Sequence, residues 1–305
     1  MKKIIPILKN HKIKLSIALV LFVVWLFCLP SPLFDVPTAT VAESSSGQML
    51  GARIADDGQW RFPQMDSVPK RFEKCILYFE DEYFYWHPGF NPVSISKALW
   101  NNLTSDSRRG GSTITQQVIR LSRKNKGRTY FEKIIEIFQA TRLEAGYKKK
   151  SILNLYASYA PFGGNVVGLE TASWRYFGIP ASELSWGQSA ALAVLPNAPS
   201  LIFPGKNEAI LKKKRDALLS KLFKNEVIDE TTYQLALEEI LPGKPLPLPE
   251  IAPHLTEKIR KEHPGKRIET TTDFSLQQKV NNIVKEQNYM LAQNQIHNLA
   301  VLVLD

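Results

Sequence analysis

Three short segments carry residue types that can do chemistry. Glu80-Asp-Glu-Tyr-Phe-Tyr-Trp-His-Pro-Gly89 puts two adjacent carboxylates at the end of an apolar run, where it opens into aromatic residues. Partial desolvation raises the pKa of a carboxyl group, so an acid placed there can accept a proton near neutrality. A helix-end acid among interface aromatics is the plainer reading. Gly110-Gly-Ser-Thr-Ile-Thr-Gln-Gln117 reads as a loop opening a helix, with backbone N–H groups and hydroxyls suited to an anion. No Gly-Lys-Ser/Thr follows, so it is not a nucleotide-binding P-loop. Arg120, Arg123 and Arg128 nearby strengthen the case for a phosphate. Glu132-Lys-Ile-Ile-Glu136 places Glu136 one helical turn from Lys133, either as a surface ion pair or as a second working carboxylate among cations.

The elements that must position these residues follow from periodicity. Phe72, Cys75, Ile76 and Phe79 recur at helical spacing, as do Phe131, Ile134, Ile135 and Phe138, and then Leu143, Tyr147, Ile152, Leu155 and Tyr156. Ser185 to Leu195 is small and apolar, as in a buried helix, and Lys212-Lys-Lys-Arg215 reads as the solvated face of a further one. The spacing therefore predicts a mostly helical region over 65–225. Ahead of it, 41–64 reads as a hairpin, with turns at Ser44 to Gly47 and Asp56 to Gly58. Residues 226–266 read as a linker around the proline-rich Pro242 to Pro249. Residues 267–305 change character: Arg267 to Asp273 is strand-like, Phe274 to Ala292 helical, and Leu299 to Leu304 a strand ending the chain. A strand with no sheet to join suggests the front portion of a longer protein, or a natural truncation of one.

Charge is unevenly distributed. The 305 residues carry 39 Lys and Arg against 29 Asp and Glu, a net +10, with 44% hydrophobic residues, which excludes a mostly disordered chain. Two cysteines exclude a disulfide framework and leave no CxxC zinc site. Lys2, Lys3, Lys9, Lys12 and Lys14 make residues 1–14 a basic tail; Arg108 to Lys150 holds twelve basic residues against three acids. Between these zones, residues 15–34 contain no charge. At about 1.5 Å per residue the run reaches about 30 Å, the thickness of a hydrocarbon core. It reads as a single transmembrane signal-anchor with the N-terminus cytoplasmic and the remainder exported. A cleaved signal peptide fits less well, because no small-residue cleavage site follows.

Together the three segments resemble the glycosyltransferase family 51 domain of class A penicillin-binding proteins, the peptidoglycan polymerases. Glu80, Asp81, Phe84, His87 and Gly89 match its first motif, and residues 110–117 match its second throughout. Glu132-Lys133-Ile-Ile-Glu136 matches the third with its first basic residue replaced. Tyr147 to Ser158 resembles the fourth, departing at Ala157 and Ser158, and Leu184 to Ser200 the fifth, with Gln188 for a common Glu. Ala160 to Gly164 and Ala172 to Trp174 resemble the penicillin-binding protein 1C subgroup.

The resemblance implies a mainly α, lysozyme-like two-lobed domain after the transmembrane helix, with a small β hairpin near the membrane. Residues 267–305 would be the opening strands of a truncated α/β transpeptidase domain. That domain's S-x-x-K pattern occurs at Ser94 to Lys97, but inside the glycosyltransferase region and with no K-T-G anywhere in the chain, so covalent penicillin binding is not expected. The implied substrate is lipid II, joined to a growing glycan strand with release of undecaprenyl pyrophosphate, at the bacterial cytoplasmic membrane. Other implied partners are membrane lipid and further cell-wall synthesis proteins; nucleic acid is not among them. Glu80 would be the general base, and Glu136 would help the pyrophosphate depart, either through a divalent metal (Mg or Mn) or by holding nearby cations. Asp81, Phe84, His87, Gly111, Ser112, Thr113, Gln116, Gln117, Arg120, Arg128 and Lys133 would line the substrate. A lytic glycan-cleaving enzyme and a weakly active or inactive cell-wall scaffold are the alternatives.

Overall fold

Helix α1, Ile4–Leu26, opens the chain in the computed structural model, which describes residues 4–93, 96, 111–124 and 129–303. Ser94, Lys97, Arg108, Gly110, Arg128 and Leu304 lie outside the described residues. The protein is mainly helical with two small sheets. Helix α1 holds the apolar run but ends at Leu26, and its first half includes Lys9, Lys12 and Lys14. Among the described residues no helix is long and apolar enough to cross a membrane. The expected span 15–34 is thus not one helix. Pro30 and Pro32 break it, Leu33 is buried in the main core, and Phe34 stacks on Tyr159 with ring centroids 3.8 Å apart. Leu15, Leu19, Val20 and Phe22 remain exposed.

Strands β1, Thr40–Glu43, and β2, Met49–Arg53, form an antiparallel hairpin. Strand β3, Trp60–Arg61, pairs with the later strands β4, Pro161–Gly163, and β5, Val166–Val167, in the order β3-β5-β4. The helical body begins at α2, Lys70–Glu80, which buries Phe72, Cys75, Ile76 and Leu77 at the spacing the sequence predicts. It continues through α3, Ile114–Ser122; α4, Tyr130–Gly146; α5, Lys149–Tyr159; α6, Leu169–Phe177; α7, Trp186–Ala193; and α8, Glu208–Lys224. Two groups emerge: α2 packs with α7 and α8, while α3 packs between α4 and α5. Both feed one buried cluster that includes Phe72, Ile76, Ile114, Val118, Tyr156 and Leu192. Small side chains on α7 (Gly187, Ser189, Ala190, Ala191) let it lie buried with little bulk.

Beyond α8 the structure departs from the expected linker. Residues 226–266 contain α9, Glu230–Glu238, and α10, Pro253–Glu262; only the proline-rich stretch between them is extended. Asp229 caps α9, accepting from the Thr232 amide. Strand β6, Arg267–Glu269, runs parallel to β1 and completes the order β2-β1-β6, so it joins the hairpin's sheet instead of founding another. Helix α11, Phe274–Ala292, buries no residue. Residues 299–303 are not a strand and are exposed, having no strand to pair with among the described residues.

One backbone position governs how α4 approaches the site. Gly89 has φ +93°, and a Cβ there would lie 2.8 Å from the Ala140 carbonyl group on α4. Its own carbonyl accepts from Thr113 Oγ1 at 2.7 Å and Gln116 Nε2 at 3.2 Å. Gly89→Ala is expected to destabilise the fold by about 2–4 kcal/mol, combining a left-handed backbone with overpacking. Urea unfolding of the purified variant checks this.

Candidate active site

Glu80 and Asp81 are neighbours with opposite environments. Glu80 is the last residue of α2, and Asp81 its C-cap, with φ −159° and ψ 72°. That extended backbone turns the Asp81 carboxylate inward. It accepts from His87 Nε2 at 2.9 and 3.1 Å and from the Ile114 amide at 2.9 Å. The Gly89 amide donates to His87 Nδ1 at 3.2 Å, which leaves the imidazole proton on Nε2, pointed at Asp81. Asp81, Phe84 and His87 are all buried. They position α2 against the head of α3.

The other residues of the glycine-led motif divide in the same way. Thr113 is the N-cap of α3, its hydroxyl accepting from the Gln116 amide. Gln116 is buried, bonding Gly89 with its amide nitrogen and accepting from Lys133 Nζ at 2.5 Å with its oxygen. Gly111 is half-buried beside Ser112. Gln117 and Arg120 lie one turn apart on α3, and each meets a carboxylate. Gln117 Nε2 donates to Glu80 Oε2 at 2.8 Å. Arg120 grips Glu136 with a two-pronged fork, Nε to Oε1 at 2.7 Å and the terminal nitrogen to Oε2 at 2.9 Å. One helix face thus brings both carboxylates together.

Around Glu136 the charges form a closed set. Lys133 Nζ lies 3.5 Å from Glu136 and donates to Ser112 Oγ at 2.7 Å. Arg120 also donates to Ser112 Oγ, at 3.2 Å. With two donors on its oxygen, the Ser112 hydroxyl has its own proton to offer an anion. The bond to Glu136 raises the Arg120 pKa. Glu136 does not fit a resident divalent metal. Both its oxygens are committed to Arg120, Lys133 is adjacent, and among the described residues no group of three His, Cys, Asp or Glu side chains could hold a metal ion.

Glu80 is half-buried, and burial pushes its carboxyl above the usual range. Hydrogen bonds from Gln117 and Asn197 and the charge of Lys214 pull it back, while Asp81 pushes it up further. The result is a half-buried carboxylate with its basicity increased.

Much of the basic stretch is committed to structure. Arg123 pairs with Glu132 at 2.6 Å, which accounts for the acid at the position where a basic residue was expected. Arg142 donates to the Leu26 carbonyl at the end of α1 and sits 5.5 Å from the Trp25 ring centroid. Lys149 bonds the His87 carbonyl and the Glu144 carboxylate, both at 2.7 Å, and lies over the Phe84 ring. The cations beside Glu136 are therefore Arg120 and Lys133; Arg128 lies outside the described residues.

Sequence reasoning missed Lys149, Glu144, Asn197 and Lys214. Lys149 and Asn197 fall inside matched motifs, but residue type alone did not say which way they point. The departures are accommodated locally. Gln188 completes a capping box with Ser185, and Ser158 accepts from the Met65 amide at 3.2 Å. Asp81→Asn is expected to cost about 1–3 kcal/mol, because the amide presents a donor to donors already in place. A lowered melting temperature with faster hydrogen exchange at the Ile114 amide checks this.

A family model described as Transglycosylase matches residues 47–223. Penicillin-binding protein 1C of Escherichia coli (strain K12) is 34% identical over 279 residues, 90% of this chain and 36% of that protein. A monofunctional glycosyltransferase of Staphylococcus aureus (strain JH9) is 33% identical over 186 residues, 59% of this chain and 69% of the relative. The chain therefore spans little more than a third of the first relative's length. A crystal structure of penicillin-binding protein 1A from Haemophilus influenzae aligns over 79% of this chain and 28% of its own, at 18% identity and a TM-score of 0.38.

Proposed function

The chain belongs to the transglycosylase family, and from that premise we propose that it is a peptidoglycan glycosyltransferase that polymerises lipid II. The observation that carries this reading is the pair of carboxylates, Glu80 of α2 and Glu136 of α4, held against one face of α3 in two different electrostatic settings. Glu80 is half-buried with raised basicity; Glu136 is saturated by cations.

In the proposed reaction Glu80 accepts the proton of the acceptor sugar's 4-hydroxyl while that oxygen attacks the donor's anomeric carbon. The bond from that carbon to the pyrophosphate oxygen breaks, and the anomeric centre inverts. A base on the face opposite the leaving group is what direct displacement demands, as in inverting glycosidases. Negative charge develops on the departing undecaprenyl pyrophosphate, beside Arg120, Lys133 and the Ser112 hydroxyl. Glu136 holds Arg120 and Lys133 in place, both its oxygens accepting charged hydrogen bonds.

A lipid-linked substrate must be met at a membrane. The exposed apolar residues of α1 support a single-pass anchor with the N-terminus cytoplasmic, and α1 is fastened to α4 by Trp25 Nε1 donating to Thr141 Oγ1 at 3.0 Å. The two helix groups that meet at the Asp81–Ile114 bond support a two-lobed, lysozyme-like arrangement.

Glu80→Gln tests the reading, since an amide cannot accept the proton. The variant is expected to lose about 10²–10⁴-fold in polymerisation of purified lipid II, with an unchanged melting curve. Near-normal polymer from it would assign Glu80 a structural role. Shortening of preformed glycan without consumption of lipid II would make the enzyme lytic. The parent's rate is expected to fall as pH drops through a value above the ordinary glutamate range, because only the ionised base works and burial raises its pKa. A pH profile of kcat/KM reads this directly.

A further inference from the structure

The run Lys212-Lys-Lys-Arg215 reads in sequence as a solvated helix face, yet its members have separate fates on α8. Lys212 pairs with Asp216 on the surface. Arg215 is fully buried, donating to the Leu237 carbonyl at 3.0 Å and the Glu239 carbonyl at 2.5 Å, and so closes the end of α9. Lys214 turns toward the candidate site. Its Nζ donates to Asn197 Oδ1 at 3.1 Å, and Asn197 Nδ2 lies 3.5 Å from Glu80 Oε1. Lys221, two turns along on the same face of α8, meets the end of α2 as well. It donates to the Tyr78 carbonyl at 2.7 Å and pairs with Glu82 at 2.7 Å.

The geometry points to Lys214 as a positioning residue for the base, acting through Asn197. An ammonium has donors only, so it fixes the carbonyl end of the Asn197 amide toward itself and turns the NH2 toward Glu80. Glu80 is then held by one amide on each carboxylate oxygen: Gln117 on Oε2 and Asn197 on Oε1. The same relay brings the positive charge of Lys214 to bear on Glu80. Its effect is to keep the base ionised despite burial. The other groups acting on Glu80 are Asp81 beside it, Arg120 on α3, and the Tyr156 hydroxyl on α5, which is buried without a hydrogen-bond partner among the described residues. None of these lies on α8; Lys214 does. Burial and Asp81 raise the Glu80 pKa, and Lys214 lowers it. Removing Lys214 therefore moves the pKa up and the acid limb of activity to higher pH.

This inference rests on Glu80 as the base, and its test has a readout that does not need turnover. The purified full chain, with glutamate carboxyls labelled with 13C and Glu80 assigned by difference from Glu80→Gln, is titrated by NMR as parent, Lys214→Met and Lys214→Arg. In Lys214→Met the Glu80 pKa is expected to rise by about half a unit to one unit, and in Lys214→Arg to return most of the way. The acid limb of kcat/KM for lipid II moves with it, about three- to tenfold less activity below the limb and a smaller loss above. In an Asn197→Ala background the Lys214→Met shift is expected to shrink, since the relay is already broken. A Glu80 titration unmoved by Lys214→Met overturns the inference. So does a raised KM with an unmoved limb, which makes Lys214 a direct substrate contact. A parent that titrates as expected but makes no polymer leaves the relay standing and overturns the proposed function instead.

Discussion

Asp81 is buried, accepts from the His87 imidazole and the Ile114 amide, and so ties the end of α2 to the head of α3. A buried carboxylate is costly unless its oxygens are satisfied, and here they are. The arrangement leaves little freedom on either side. Glu80, one residue earlier, must face away from that bond, and α3 must present Gln117 toward it. Gly89 extends the constraint to α4, because its carbonyl holds Thr113 and Gln116 while its missing Cβ admits the Ala140 backbone. The placement of Glu80 therefore depends on Asp81, His87 and Gly89.

Cations in the site work in graded ways. Arg120 and Lys133 surround Glu136 and Ser112, so a local balance of charge is kept before any anion arrives. A phosphate group entering there meets donors already oriented, with little reorganisation to make. Arg123, Arg142 and Lys149 carry equal charge but are spent on Glu132, on α1, and on the His87 loop. Net charge along a stretch of sequence thus overstates the number of cations facing a ligand.

The two ends of the chain are tied in by unlike means. Helix α1 meets the body through its last turn, where Arg142 faces the helix's terminal carbonyls, while its apolar residues stay uncovered. Strand β6 is held by backbone pairing to β1 and by the Arg267–Glu43 ion pair. The β1–β2 hairpin is thereby closed by a strand from the far end of the chain.

The sequence by itself determined the helical body, the apolar face of α2, and the two carboxylates, Glu80 and Glu136. These are local matters: apolar period, and a motif whose residue types and spacing recur together. It did not determine where α1 would end, that β6 would join the hairpin, or that residues 226–266 would fold as helices. Nor could it tell Asp81 from Glu80, or Lys214 from Lys212, since adjacent residues of one type are equivalent until a packed neighbour gives each a direction. Only the tertiary structure decided those, because burial, partner and orientation come from α3, α8 and Asn197, which lie tens of residues away in the chain and meet Glu80 only once the core has closed.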